Sequence, residues 1–219
     1  MRLQHYPTTR LQDSQPMQFL ALGDSYTIGE GVTEGERWPV QLVARLRAEG
    51  RNMDAPLIIA RTGWTTDELA VGIDTAVPVG PYDLVSLLIG VNNQYRGWSA
   101  ATYRQEFADL LARAIHFAGG EARRVVVLSI PDWGVTPFAQ GRDRAKIATE
   151  IDAFNAINRD EAARAGVGYV DVTAVSRQAT TNPALMAHDG LHPSGQMYAA
   201  WVQLALPIVS HCLEREGKS

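Results

Sequence analysis

The stretch Gln18–Thr27, with the sequence QFLALGDSYT, joins an apolar run to a short polar segment. The continuous apolar run predicts a buried strand over Gln18–Leu22 that ends just before Gly23. A small hydroxyl, that of Ser25, stands where this strand breaks into a loop. Such a position suits a nucleophile, although small polar residues after a strand are also common turn formers. Ser25 is therefore the first candidate for a reactive group.

Four further apolar runs bounded by turn residues repeat this pattern along the chain. They lie at Leu57–Ala60, Leu84–Ile89, Val125–Ile130 and Tyr169–Val172. Because these runs are continuous rather than alternating, they predict strands buried on both faces, as in a parallel sheet. Helical patterns follow the strands at Pro39–Glu49, Thr66–Ala76, Ala101–Ala118, Arg142–Ala165 and Ser194–Glu214. The alternation of strands and helices predicts a three-layer α/β/α sandwich.

The composition of the 219 residues indicates a single globular domain. Hydrophobic residues make up 46% of the chain and charged residues 20%, as in ordinary soluble proteins. No linker rich in Pro, Gly or Ser divides the chain, so we expect one domain over 17–219 after a loosely held arm over 1–16. The net charge of −4 and the scattered Lys and Arg residues disfavour a nucleic-acid partner.

Residues 1–16 are polar and contain no apolar segment of the kind found in signal peptides. We therefore expect a cytoplasmic protein. The longest apolar runs, such as Leu84–Ile89, are far too short to cross a membrane, so membrane insertion is not expected.

A second candidate group lies near the carboxyl end of the chain, in the sequence DGLHP. Asp189 and His192 stand three positions apart just ahead of the last predicted helix, and Pro193 is expected in its first turn. With Ser25 they form a candidate Ser-His-Asp triad, in which His192 accepts the serine proton and Asp189 holds the other ring nitrogen. A helix-capping aspartate beside a surface histidine is the alternative interpretation.

Gly63 and Asn92 each stand in a further polar segment that follows a predicted strand. Thr65 and Glu68 have the spacing of a capping box, so Gly63 lies just before a helix N-terminus with its free amides. Ligands of parallel α/β sheets bind beyond the carboxyl ends of the strands. We therefore expect Ser25, Gly63 and Asn92 to converge on one edge of the sheet.

These four polar blocks resemble those of the SGNH or GDSL hydrolase superfamily, which is named after Ser, Gly, Asn and His. The matching residues, in block order, are Ser25, Gly63, Asn92, and Asp189 with His192. The resemblance spans nearly the whole chain, and its final D-G-x-H-P block is the most specific part.

The resemblance implies a flavodoxin-like five-stranded parallel sheet with the strand order 2-1-3-4-5. It also implies an oxyanion hole made from the backbone amides of Ser25 and Gly63 and the side-chain amide of Asn92. Two residues depart from the family's pattern. Tyr26 replaces the leucine of the family name, and Asn93 stands where many relatives carry an aspartate.

Several side chains near the predicted strand exits are candidates for the substrate pocket. They are Tyr26, Asn93, Tyr95 and Trp133. Ordinary packing is the alternative for each of them. Asp24 is expected to hydrogen-bond within the loop that carries Ser25 rather than to act as the acid of the triad.

The predicted activity is that of a serine esterase without a metal or organic cofactor, acting on short-acyl or acetyl esters of small soluble substrates. The blocks carry no long insertion that could form a lid, which favours small substrates. The alternatives are an acyltransferase or thioesterase of the same fold, or a catalytically silent binding module. A metal site at His188, Asp189 and His192 is disfavoured, because the remaining histidines lie in unrelated segments and no cysteine cluster is present.

Overall fold

The fold is built on one parallel sheet. The computed structural model describes residues 15–214, and the predicted arm over 1–16 lies outside them apart from its last two residues. The strands are β1 (Phe19–Gly23), β2 (Leu57–Ala60), β3 (Leu84–Leu88), β4 (Val125–Leu128) and β5 (Gly168–Val170). All neighbours pair in parallel, in the order β2-β1-β3-β4-β5. This order confirms the flavodoxin-like sheet.

Burial explains why the central strands are continuous apolar runs. Every residue of β1, β3 and β4 is buried, because helices cover both faces of the sheet. β2 has a single neighbouring strand, and Leu57 at its start is exposed. Gly23 of β1 pairs with both Ala60 of β2 and Leu88 of β3, so these three strands end level with one another. The polar segments that follow them therefore begin at the same edge.

Eight α-helices lie within residues 15–214, and none of them is long and apolar enough to cross a membrane. They are α1 (Ser25–Ile28), α2 (Trp38–Ala48), α3 (Thr66–Ala76), α4 (Val91–Tyr95), α5 (Ala100–Phe117), α6 (Arg144–Ala165), α7 (Thr173–Arg177) and α8 (Gly195–Cys212). α2 packs against α8 on one face of the sheet, and α5 packs between α3 and α6 on the other. This arrangement is the predicted three-layer sandwich.

The short helices α1, α4 and α7 have no counterpart among the predicted elements. Each has four or five residues, which is too few for the 3.6-residue apolar period to show in a sequence. α1 and α4 follow β1 and β3 closely and carry Ser25 and Asn92. Both residues are therefore placed by a helical turn rather than by an irregular loop.

The start of α8 also differs from the prediction. Ser194 caps the helix by accepting a hydrogen bond from the amide of Met197 at 3.3 Å, and the helix begins at Gly195. Pro193 therefore precedes the helix instead of lying in its first turn, and it forms a short antiparallel bridge with Met186. Serine is among the strongest N-cap residues, which sets the helix boundary after Ser194.

Candidate active site

Three strand exits meet at one cavity beyond the carboxyl ends of β1, β2 and β3. The cavity has a volume of about 180 Å³. Four of the five residues of the predicted site line it, namely Ser25, Gly63, Asn92 and His192. The fifth, Asp189, stands behind the His192 ring. The other lining residues are Tyr26, Thr62, Val91, Tyr95, Trp133, Phe138 and Leu191.

Ser25 is the first residue of α1 and is almost wholly buried. The side chain of Asp24 caps this helix by accepting a hydrogen bond from the amide of Tyr26 at 3.0 Å. Asp24 therefore bonds within the loop, as predicted. As the first residue of α1, Ser25 has a backbone amide without a partner inside the helix.

Asp189 and His192 form a hydrogen-bonded pair. Oδ2 of Asp189 lies 2.7 Å from Nδ1 of His192, and Oδ1 accepts the amides of Leu191 at 2.9 Å and of His192 at 3.0 Å. Burial raises the pKa of Asp189, but these amides and the imidazole outweigh burial and hold the pKa below its usual value. An ionised Asp189 keeps the ring proton on Nδ1, which leaves Nε2 of His192 free to accept a proton.

Packing also fixes the pair. The ring of Tyr26 meets the His192 ring edge-on, with 5.7 Å between the centroids. Gly31 passes so close to Asp189 that a Cβ on this glycine would lie 3.1 Å from Oδ2. Its φ of 80° is a second reason why glycine occupies this position. The sequence around a single loop glycine does not indicate which residue it packs against, so this contact was not predicted.

Among residues 15–214, the Ser25 hydroxyl and the His192 ring share the cavity wall without a direct hydrogen bond between them. Hydrogen bonds of catalytic pairs are often long before a substrate binds and tighten in the complex. Because Ser25 and His192 line the same cavity, a bound substrate can bring the two groups into hydrogen-bond contact.

Gly63 and Asn92 border the cavity at the exits of β2 and β3. Gly63 has a φ of 85° in a turn that is closed by a hydrogen bond of 3.2 Å from the amide of Trp64 to the carbonyl of Arg61. No described heavy atom beyond the chain neighbours lies within 4 Å of where a Cβ would stand, so the backbone of Gly63 borders open space. Nδ2 of Asn92 donates to the carbonyl of Trp64 at 2.9 Å, which orients the amide and leaves its second N–H for a ligand.

Asn93 does not line the cavity, contrary to the prediction that it belongs to the substrate pocket. It is fully buried, and its side chain accepts from the amide of Thr66 at 3.2 Å and donates to the Thr66 hydroxyl at 2.7 Å. Successive residues of a helix point about 100° apart, so Asn92 and Asn93 of α4 serve different neighbours. Asn93 ties α4 to the start of α3, where the predicted capping box is present.

The cavity offers a hydroxyl, a proton acceptor and N–H donors, which are the groups that acyl transfer needs. Within residues 15–214, no three His, Cys, Asp or Glu side chains stand close enough together to hold a metal ion.

Residues 21–200 match a protein family described as the GDSL-like lipase/acylhydrolase family. The chain belongs to the GDSL-like lipase/acylhydrolase family. The match runs from β1 into α8 and includes all five residues of the predicted site. By its family the protein is a carboxylic ester hydrolase.

Solved structures with this fold include several proteins of low sequence identity. TesA matches with a TM-score of 0.70 at 21% identity, over 90% of this chain and 100% of that chain. A lipase/acylhydrolase from Enterococcus faecalis has a TM-score of 0.69 at 23% identity, over 91% and 98%. An acetylxylan esterase from Geobacillus stearothermophilus has a TM-score of 0.68 at 18% identity, over 88% and 94%. The TM-scores show the shared fold. A comparison with curated proteins finds no match.

Three rings form one side of the cavity in this GDSL-like hydrolase, and we call Tyr95, Trp133 and Phe138 the aromatic wall. Trp133 is buried, and its indole N–H donates to Oε1 of Gln94 at 2.7 Å. The centroids of Tyr95 and Phe138 lie 5.3 Å and 6.0 Å from that of Trp133. The structure brings the predicted pocket residues Tyr26, Tyr95 and Trp133 to the cavity. Phe138 was not predicted, because it lies in the single-turn 3₁₀ helix Pro137–Ala139, whose position depends on tertiary packing.

Proposed function

We propose that the protein is a serine esterase in which Ser25 is the nucleophile, His192 the general base and Asp189 its partner. The observation that carries this proposal is the Asp189–His192 pair, joined at 2.7 Å and placed on the same cavity as Ser25. A buried serine beside a hydrogen-bonded imidazole and carboxylate is the arrangement that activates a hydroxyl at neutral pH.

In the acylation step the Ser25 hydroxyl gives its proton to Nε2 of His192 while its oxygen bonds to the ester carbonyl carbon. The imidazolium that forms is stabilised by Asp189, whose lowered pKa keeps it ionised. The carbonyl oxygen becomes an oxyanion. When the bond from carbon to the alcohol oxygen breaks, His192 returns the proton to that oxygen, and the acyl group stays on Ser25.

The oxyanion is stabilised by N–H donors that are in place before the reaction starts. The donors are the backbone amides of Ser25 and Gly63 and Nδ2 of Asn92. The open space beside Gly63 and the orientation of Asn92 by the Trp64 carbonyl support this assignment. One such donor typically contributes about 2.7–4 kcal/mol to the stability of a transition state.

Deacylation follows the same order of steps, with water as the nucleophile. His192 accepts a proton from the water, the water oxygen bonds to the acyl carbon, and the Ser25 oxygen leaves and takes the proton back. A carboxylic acid is released. If an alcohol attacks in place of water, the same site performs acyl transfer, and if the acyl group arrives on sulfur it acts as a thioesterase.

The size of the cavity supports small substrates with short acyl groups. Its volume of about 180 Å³ lies below the roughly 300–1,000 Å³ of pockets for drug-sized ligands. Apolar and aromatic side chains provide much of its lining, which suits an acyl chain better than a charged group. The similarity of fold to an acetylxylan esterase is in keeping with an acetyl ester as one candidate substrate.

The test is hydrolysis of p-nitrophenyl esters by the wild type, Ser25→Ala and Ser99→Ala. Ser99 is a matched control because it is an exposed N-cap serine outside the cavity lining. We expect turnover in the wild type and in Ser99→Ala and none in Ser25→Ala. Turnover by Ser25→Ala at the wild-type rate contradicts the proposal. Product analysis with added alcohol separates hydrolysis from acyl transfer, and tight ester binding without turnover indicates the silent binding module.

A further inference from the structure

Arg142 lies outside the proposed catalytic group but against the aromatic wall. Its guanidinium carbon is 5.1 Å from the ring centroid of Tyr95, 5.5 Å from that of Trp133 and 5.7 Å from that of Phe138. All three distances fall within the range of about 6 Å over which a cation is attracted to a ring face. The guanidinium also donates a hydrogen bond to the Tyr95 hydroxyl at 3.0 Å.

The three rings differ in how firmly the rest of the protein holds them. Trp133 is 4% exposed and is hydrogen-bonded to Gln94, whereas Tyr95 is 46% exposed and Phe138 is 44% exposed. Half-exposed side chains have fewer contacts that restrict their rotamers, so holding them in one place requires an added partner. Arg142 contacts both exposed rings and the anchored one.

Ion pairing does not account for the position of Arg142. In the part of the chain that the structure describes, no carboxylate lies within ion-pair distance of its guanidinium. Arg159 on α6 differs, because it lies over the ring of Tyr169 at 5.2 Å but also pairs with Asp171 at 3.4 Å. The contacts of Arg142 are therefore directed to the aromatic wall.

We propose that Arg142 determines the acyl-chain selectivity of the enzyme by clamping the aromatic wall. Arg142 is a positioning residue, since it acts through the rings of Tyr95, Trp133 and Phe138 rather than on the ester. With the clamp in place, the wall closes one side of the cavity, whose volume is about 180 Å³. Without it, the two exposed rings turn toward solvent and longer acyl chains enter. This inference rests on the proposed esterase activity.

The experiment compares kcat and KM for p-nitrophenyl butyrate and decanoate in the wild type, Arg142→Ala, Arg142→Lys and Arg159→Ala. Arg159→Ala is the matched control, because it removes the same kind of cation–ring contact outside the cavity lining. We expect Arg142→Ala to lower the butyrate-to-decanoate ratio of kcat/KM by about tenfold, mainly through KM. Arg142→Lys retains the cation and recovers part of the ratio, and Arg159→Ala keeps the wild-type ratio.

An unchanged ratio in Arg142→Ala beside an active wild type overturns the clamp. An equal loss of kcat on both esters, or the same change of ratio in Arg159→Ala, also overturns it, since either result shows a general effect on folding. Should Arg142→Ala fail to fold, Arg142→Gln takes its place, because glutamine removes the positive charge but keeps most of the length of the side chain, and the same outcomes decide. If the wild type hydrolyses no ester at all, the proposed function itself fails, and the clamp fails with it.

Discussion

Replacing Asp24 by asparagine removes a buried ionisable group next to Ser25. Asp24 is fully buried; Oδ1 accepts the Tyr26 amide at 3.0 Å, and Oδ2 has no hydrogen-bond partner among the described residues. Burial raises the pKa of Asp24 from its usual value of 3.8 to about 7. Asparagine keeps an oxygen that can accept the same amide but stays neutral at every pH.

The raised pKa of Asp24 makes the stability of the protein depend on pH. Since the folded state binds this proton more tightly than the unfolded chain, the contribution is complete below the unfolded pKa and is lost as the pH rises through about 7. A pH of 5 is two units below the pKa of Asp24 in the folded state, and each pH unit contributes about 1.36 kcal/mol. The free energy of unfolding therefore falls by about 2.7 kcal/mol between pH 5 and pH 8 because of Asp24.

Urea denaturation at pH 5 and pH 8 measures this difference in the wild type, Asp24→Asn and Asp54→Asn. Asp54 is a matched control because it is exposed to solvent. Between pH 5 and pH 8, we expect the free energy of unfolding to fall by about 2.7 kcal/mol less in Asp24→Asn than in the wild type. In Asp54→Asn we expect it to fall by as much as in the wild type. The comparison uses the slope with pH, so a constant change in stability from the substitution does not matter. The same slope in the wild type and Asp24→Asn refutes the reasoning.

Three further predictions concern the site. Asn92→Ala should lower kcat by about 10²–10³-fold with little change of KM, because the hydrogen bond from Asn92 strengthens only as charge develops on the oxyanion. A lowered melting temperature with normal kcat contradicts this prediction. Gly31→Ala and Gly50→Ala should both lower the melting temperature, because both glycines have positive φ. Only Gly31→Ala should lower kcat/KM, because only its new Cβ crowds Asp189. Equal kcat/KM in the two variants contradicts this prediction. Wild-type kcat/KM should be higher for acetyl or butyryl esters than for dodecanoyl esters. A higher kcat/KM for the dodecanoyl ester contradicts the inference that the small cavity favours short acyl groups.

The strands could be predicted because a parallel sheet leaves a simple mark on its sequence. Strands buried on both faces are continuous apolar runs, and each observed strand begins and ends within two residues of its predicted bounds. The capping box of Thr65 and Glu68 is equally local, since its hydrogen bonds join residues three positions apart. Such signals need no knowledge of the rest of the fold.

The predictions failed where tertiary contacts decide. Asn93 was assigned to the pocket, but α4 turns it toward Thr66, and α4 is too short to show a period. Phe138 reaches the cavity from the single-turn 3₁₀ helix Pro137–Ala139, and Gly31 approaches Asp189 across the fold. None of these contacts is encoded by spacing along the chain.

The roles of Ser25, Asp189 and His192 in the reaction stay predictions until variants are assayed. The cytoplasmic location, the absence of a nucleic-acid partner and the arm over 1–16 stay predictions in the same sense.

Covalent labelling with a fluorophosphonate tests the central claim most directly, because the reagent reacts with an activated serine and leaves a stable adduct. The protein is treated, its intact mass is measured, and the modified residue is located by peptide mass spectrometry. We expect one adduct per chain, on Ser25, with loss of esterase activity in proportion to labelling and no adduct in Ser25→Ala. An adduct on another residue, or full activity after complete labelling of Ser25, contradicts the account.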